Sequence, residues 1–370
     1  MADRPEFTIV DLRSGRGLGG HCFDYLVALK AAFADREIAI IAPFVGPDAA
    51  PNNRLTVYVR GFFAYRRAIA DRGIGLVHNS SLNDYICLAL AALLTRPSRR
   101  GFCMMMLYRD PSISSFGAGS ERLNRATIWL ISKMIRGGVL RPMSDSPLVL
   151  EHWLEATATS AGYVVPTPPL PTAEGDEQEV GSTLVLPAGA SPLFVIPGRM
   201  RAEKGAASYA VVVEAVLEGF PAGVIVLQAA ADDEVSAEAL ATLRKKFGDN
   251  PRLVLLEGHL SADDYRTLLA AADVAVLPYD TAAYGAGSSG VVGDALASGA
   301  IVVASPIEWI RLEHGDDPRV VLLDDPGSVE SVGAALKDAT TRSENAAPAS
   351  DSSAEFAARW NEAVSRAIGD

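Results

Sequence analysis

Two kinds of apolar pattern alternate along the chain. Short continuous apolar runs read as buried strands, and stretches with apolar positions every three or four residues read as amphipathic helices. FTIV at 7–10 opens the series. A glycine-rich loop and a helix with Cys22, Leu26, Leu29 and Phe33 on one face follow it. Strands are predicted at 38–41, 55–59, 74–78, 100–107, 139–140 and 162–165, with helices at 62–71, 83–94, 120–135 and 146–157. The proline run at 166–171 and the acidic tract at 174–179 interrupt the pattern as a linker. The alternation then restarts. Strands are predicted at 193–196, 222–227, 253–256, 274–277, 301–304 and 320–323, and helices lie between and after them, the last two at 328–339 and 353–367. Strand–helix alternation of this kind predicts two Rossmann-like, doubly wound parallel sheets in an α/β chain. The expected boundaries are a first domain at 1–166, a linker at 167–190, a second domain at 191–345 and a C-terminal segment at 346–370.

Composition narrows the function. The chain has 370 residues, 49% hydrophobic and 21% charged, with a net charge of −12, which argues against a general nucleic-acid binder. The charge is uneven: residues 1–165 hold 19 basic and 14 acidic side chains, and the remainder hold 14 and 31. Arg54, Arg60, Arg66, Arg67, Arg72, Arg96, Arg99 and Arg100 supply much of the basic excess. The plain reading is a solvated face; the sharper one is a first domain that meets an anionic acceptor or a membrane surface. The polar N-terminus does not read as a signal peptide, and the longest apolar run, at 86–94, is about half of what spans a bilayer. Cys22, Cys87 and Cys103 are scattered, with no metal or disulfide spacing, and fit a reducing cytosol. The expected location is therefore cytoplasmic, with peripheral contact at the inner membrane face as an extension.

Four stretches carry candidate chemistry. YGAGSSGVVGDALASG at 284–299 reads as a loop and then a helix, which places Ser288, Ser289 and Gly290 at a helix N-terminus. The free N–H groups and dipole there favour a phosphate, and Asp294, one turn further on, would reach a ribose hydroxyl. GRMRAEKG at 198–205 follows a buried strand, and Arg199 and Lys204 in that glycine-bounded loop suit a diphosphate clamp. EGHLS at 257–261 is a turn in which Gly258, His259 and Leu260 could hold a base; His259 is equally an ordinary turn residue. GRGLGG at 15–20 satisfies the dinucleotide pattern literally through Gly17, Gly19 and Gly20, but the acid expected after the second strand is missing. A loop closing over a ligand is favoured over a nicotinamide or flavin site. Tyr279 and Tyr284 would lie at the lip of the same cleft.

The order and spacing of these motifs from 193 to 304 resemble family 4 retaining glycosyltransferases of the GT-B fold. The resemblance implies two domains facing a cleft and a C-terminal helix that crosses back to the first domain. It implies transfer of a sugar from a nucleotide diphosphosugar to a hydroxyl acceptor, glycan, lipid-linked sugar or small molecule, as in polysaccharide biosynthesis. The donor is a substrate, and no cofactor or metal is implied. Arg199 and Lys204 match the pair that stabilises the leaving diphosphate. Two positions depart from the pattern. Asp294 stands where the second of two glutamates is expected, and Ala286 stands where the first is. Arg109 and Asp110 stand where many members have a His-Asp pair, Arg109 then facing donor phosphate or sugar and Asp110 the acceptor. For Asp110, a simple turn before Pro111 is the alternative. Two rival functions remain: a non-catalytic nucleotide-sugar binder or scaffold, which Ala286 favours, and a sugar-nucleotide epimerase on the same architecture.

Overall fold

The computed structural model describes residues 7–12, 21–41, 54–78, 80–107, 110–111, 121–167, 184–187, 189, 191–258, 260–343 and 353–369. The chain divides into two compact units. One comprises Met1–Pro171, Ala286–Ser288 and Ser352–Asp370; the other comprises Thr172–Gly285 and Ser289–Asp351.

The first unit runs β1 (Phe7–Val10), α1 (His21–Ala32), β2 (Ile38–Ile41), α2 (Arg54–Ile69), β3 (Ile74–Val77), α3 (Leu82–Leu94), β4 (Phe102–Met106), α4 (Glu121–Arg136), β5 (Leu140–Ser144), α5 (Pro147–Thr157) and β6 (Tyr163–Val164). Its strands form one parallel sheet in the order β2-β1-β3-β4-β5-β6, with Thr8 beside Gly75 and Cys103 beside Leu140. The strands are apolar on both faces because helices cover both. On one face α2, α3 and α4 bury Tyr65, Ala68, Leu88, Ala91 and Ile131 against the sheet. On the other, α1 meets the final helix of the chain, and Tyr25, Leu29 and Phe33 pack with Phe356, Trp360 and Val364.

The second unit runs β7 (Leu193–Ile196), α6 (Tyr209–Gly219), β8 (Val224–Ala229), α7 (Glu234–Phe247), β9 (Leu253–Glu257), α8 (Ala262–Ala271), β10 (Val274–Leu277), the single turn α9 (Thr281–Tyr284), α10 (Gly290–Ala297), β11 (Ile301–Ala304), α11 (Glu308–His314), β12 (Val320–Leu322) and α12 (Val329–Ser343). Its sheet is parallel, in the order β12-β11-β10-β7-β8-β9. The final helix, α13 (Ser353–Gly369), belongs to the first unit, where Asn361 donates to the carbonyl of Ala32 at 3.0 Å.

Two expectations from the pattern need correction. Residues 55–59, expected as a strand, form the first turns of α2. The local β-branched residues suit a strand, but the buried positions Val57, Ala64, Tyr65 and Ala68 continue at helical spacing against the core, and that burial decides the element. The strand expected at 139–140 extends to Ser144 through Pro142. Proline weakens a central strand because it has no N–H. Here β6 reaches β5 only at Met143 and Ser144, so Pro142 faces no strand on that side.

Candidate functional site

In open parallel sheets, ligands sit beyond the carboxyl ends of the strands, where the strand order reverses direction. In the second unit that point lies between β7 and β10, which are neighbours in the sheet, with Val274 beside Phe194. The loop after β7 is 197–205 and the segment after β10 leads to α10, so the two most informative sequence motifs flank the switch point.

The first loop is held tightly. Gly198 has φ +86, and a Cβ there would lie 3.0 Å from Lys204 Nζ and 3.8 Å from Val291 of α10. The ammonium of Lys204 therefore packs beside the backbone of Gly198 and close to the first turn of α10. Gly205 has φ +77, and a Cβ there would fall 1.6 Å from the carbonyl oxygen of Pro278, so only glycine fits. Met200 bonds to Ala230 (2.9 Å), and Asp233, the N-cap of α7, accepts from the N–H of Ala202 (2.9 Å). The β8–α7 loop thus braces the 198–205 loop. Arg199 is half-exposed and ion-paired with Asp232.

Lys204 is buried. Burial, with help from the nearby Arg201 cation, pushes its ammonium down to about 8, while Glu203, Asp294 and Asp232 act in the opposite sense. A dianion bound here would favour the charged form for the same electrostatic reason.

On the other side of the switch point, Ser289 is the N-cap residue of α10, but its hydroxyl makes no capping bond to the helix. It pairs instead with the hydroxyl of Tyr279, at 2.8 Å. Tyr279 is buried and stacks on Tyr284, ring centroids 4.4 Å apart and planes 6° from parallel. The tyrosine pair and Ser289 shape the loop, and α10 presents its first turn without a side-chain cap beside Lys204. Such a terminus is a ready anion site. One turn on, Asp294 accepts a hydrogen bond from Tyr265 of α8 at 3.2 Å. Gly258, at φ +78 after β9, offers its carbonyl to Gln228 (3.4 Å), with Leu260 just beyond.

The second unit therefore brings together Gly198, Arg199, Lys204, Ser289, Gly290 and Asp294 around its switch point, with Tyr279 and Tyr284 supporting the loop. Ser288 and Ala286 cluster with the first unit. There Ala286 is buried, its carbonyl accepting from Ser146 (2.6 Å), and Ser288 hydrogen-bonds Asp145. Arg109, Gly17, Gly19, Gly20 and His259 lie outside the described residues. Asp110 is buried in the first unit and paired with His152 Nδ1 on α5.

Sequence reasoning missed Tyr265, Asp232 and His152. Tyr265 carried a faint signal, four residues after the cap Ser261; the other two carried none, since their partners are distant in sequence. Among the described residues no group of three or more His, Cys, Asp or Glu side chains is arranged to hold a metal.

Residues 191–341 match the model of the family described as Glycosyl transferases group 1. No curated protein matches the sequence. Solved structures match over nearly the whole chain. HepE from Anabaena, in complex with UDP and glucose, is 12% identical with a TM-score of 0.60, covering 98% of this chain and 100% of HepE. Sucrose-phosphate synthase from Thermosynechococcus elongatus is 14% identical with a TM-score of 0.58, covering 99% and 100%. A Listeria monocytogenes protein named as a UDP-N-acetylglucosamine 2-epimerase is 15% identical with a TM-score of 0.57, covering 95% and 91%. At such identities the likeness shows the fold: two six-stranded parallel sheets with flanking helices, as in GT-B glycosyltransferases. The chain has the GT-B fold, and its residues 191–341 match the model of the family described as Glycosyl transferases group 1.

Proposed function

We propose that the protein transfers a sugar from a nucleotide diphosphosugar to a hydroxyl acceptor, with retention at the anomeric carbon and without a metal ion. The observation that carries this reading is Lys204, a buried cation beside the uncapped start of α10, at the switch point of the unit that matches the Glycosyl transferases group 1 model. The diphosphate of the donor lies against Lys204 and the first-turn N–H groups of Gly290 and Val291, with Arg199 at its open side. Asp294, steadied by Tyr265, takes the ribose hydroxyls.

In the reaction the bond from the anomeric carbon to the phosphate oxygen breaks, and negative charge grows on that oxygen. Arg199 and Lys204 neutralise this charge, so they act most strongly in the transition state. The acceptor hydroxyl attacks from the face the diphosphate leaves. Its proton passes to the departing phosphate oxygen, and a nucleoside diphosphate is released. The first unit supplies the acceptor side, with Asp110 and Arg109 as its candidate residues. The setting is the cytoplasm, where the Cys87 thiol, pushed up to about 12 by burial, stays reduced and inert.

Two other readings have their own support. Ala286 is buried and apolar where the resemblance expects an acid, which favours a nucleotide-sugar binder without transfer activity. The Listeria neighbour carries an epimerase name on the same fold. Thermal unfolding with UDP, GDP, ADP and their sugars tests the common core, because a ligand of the folded state raises the midpoint. A rise with one nucleotide series, lost in Lys204→Ala, is the expected result. No rise with any of them ends the proposal. Where binding is found, release of free sugar or transfer product separates an enzyme from a binder, and 2-epimer formation identifies the epimerase.

A further inference from the structure

The helices α2, α3 and α4 all turn their inner faces to one core cluster of the first unit, so their outer faces look away from the sheet together. Those outer faces are unusually apolar. On α2, Leu55, Val59 and Phe63 recur every fourth residue, with Leu55 70% and Phe63 59% exposed. On α3, Leu90, Leu93 and Leu94 form one stripe, with Leu93 80% exposed. On α4, Trp129 is 62% exposed. Scattered apolar side chains are normal on a surface, but stripes along α2 and α3 with an exposed tryptophan on neighbouring α4 mark a contact face.

The same faces are basic. Arg66 and Arg67 continue the α2 stripe, and Arg125, Lys133 and Arg136 flank Trp129 at helical spacing. The α2 sequence has no acidic residue, α3 has only the buried Asp84, and α4 has only Glu121 at its first position. A groove of about 330 Å³ runs beside Trp129, lined by Arg125, Lys133 and Arg136 with Ala156 of α5. Among the described residues no helix is long and apolar enough to cross a membrane. An amphipathic face with cations around an exposed tryptophan is suited instead to the boundary between headgroups and acyl chains.

We propose that the outer face of α2, α3 and α4 docks the protein on an anionic lipid surface, with Leu55, Phe63, Leu93 and Trp129 entering the boundary and Arg66, Arg125 and Lys133 meeting lipid phosphates. Charge complementarity selects this occupant, since the first half of the chain is net basic while the whole chain is net acidic. The proposal does not depend on the nucleotide site, which lies in the other unit.

The test uses the full chain and vesicles of phosphatidylcholine with and without phosphatidylglycerol. Flotation is expected only with the anionic vesicles, weakening as salt rises. Trp129 is the exposed one of four tryptophans, Trp153, Trp309 and Trp360 being buried, so its emission should shift to the blue on binding, and Trp129→Phe should abolish the shift. Replacing Arg66, Arg125 and Lys133 together by glutamine should weaken partitioning by about a hundredfold, at about fivefold per cation. Nucleotide-induced thermal stabilisation of that variant should match the parent, which certifies its fold and keeps this result separate from the enzymatic reading. Equal binding to neutral vesicles, an unshifted emission, or undiminished binding by the triple variant overturns the proposal. So does binding to single-stranded RNA without binding to vesicles.

Discussion

At the carboxyl edge of the first sheet, Asp11 follows β1, His78 follows β3, Asp110 lies beyond β4 and Asp145 follows β5. At the corresponding edge of the second sheet, the loop with Arg199 and Lys204 follows β7, and α10 begins after β10. The balance of whole segments runs the other way: residues 1–165 are net basic and the rest strongly acidic. Net charge therefore describes what an outer surface meets, while the charge placed at a sheet's edge describes what a site binds. The two edges also hold buried ions of opposite sign. Burial raises Asp145 to about 6 and lowers Lys204 to about 8, because a low-dielectric surrounding penalises either charge.

The sharpest way to separate the edges is to remove the cation from the second. Lys204→Ala is expected to lower turnover of a nucleotide-sugar donor by about a hundredfold to a thousandfold, read by coupled release of the nucleoside diphosphate. Asp145→Asn should leave nucleotide affinity, measured by calorimetry, unchanged. Unchanged turnover in Lys204→Ala would erase the distinction.

Gly205→Ala comes next. The added methyl meets the Pro278 carbonyl in a backbone conformation suited to glycine, at a cost of about 3 kcal/mol in urea unfolding. A midpoint close to the parent's would mean that the loop is not fixed.

The two buried groups should affect stability in different pH ranges, Asp145 between about 4 and about 6 and Lys204 above about 8. Asp145 has a raised folded value, so the folded state binds its proton more tightly than the unfolded chain does. Its contribution to stability falls as pH rises from about 4 to about 6, by up to about 3 kcal/mol. Lys204 has a lowered folded value, so its penalty is complete below about 8 and is relieved as pH rises towards the ordinary lysine range. Urea unfolding across pH should show the first slope vanish in Asp145→Asn and the second in Lys204→Met. The same titration predicts that nucleotide affinity declines above about pH 8, where the free protein loses the Lys204 cation.

The smallest effect belongs to Tyr265→Phe. Losing the bond to Asp294 should weaken nucleotide binding by about fivefold, equivalent to about 1 kcal/mol. An unchanged dissociation constant would remove Asp294 from the ribose site.

Much of the second unit was legible because its signals are local. The loop at 198–205 is bounded by glycines after a continuous apolar strand, and the helix at 290–297 is announced by its serines and closed before Gly299. The pairings of candidate residues in each unit span distance: Tyr265 to Asp294 over 29 residues in the second and Asp110 to His152 over 42 in the first. No periodicity reports such pairs. The turning of Ser289 towards Tyr279, which leaves α10 without a side-chain cap, was equally hidden, since a serine before a helix reads as its cap.

Sequence by itself determined the alternation of strands and helices, the two parallel sheets and the cationic loop, because apolar period and glycine punctuation are properties of neighbouring residues. Tertiary structure decided what residues 55–59 become, since burial of one helical face against the core outweighs the strand preference of a few side chains. It also decided the strengths of the buried charges at Asp145 and Lys204, because desolvation depends on what folds over a group and not on what precedes it in the chain.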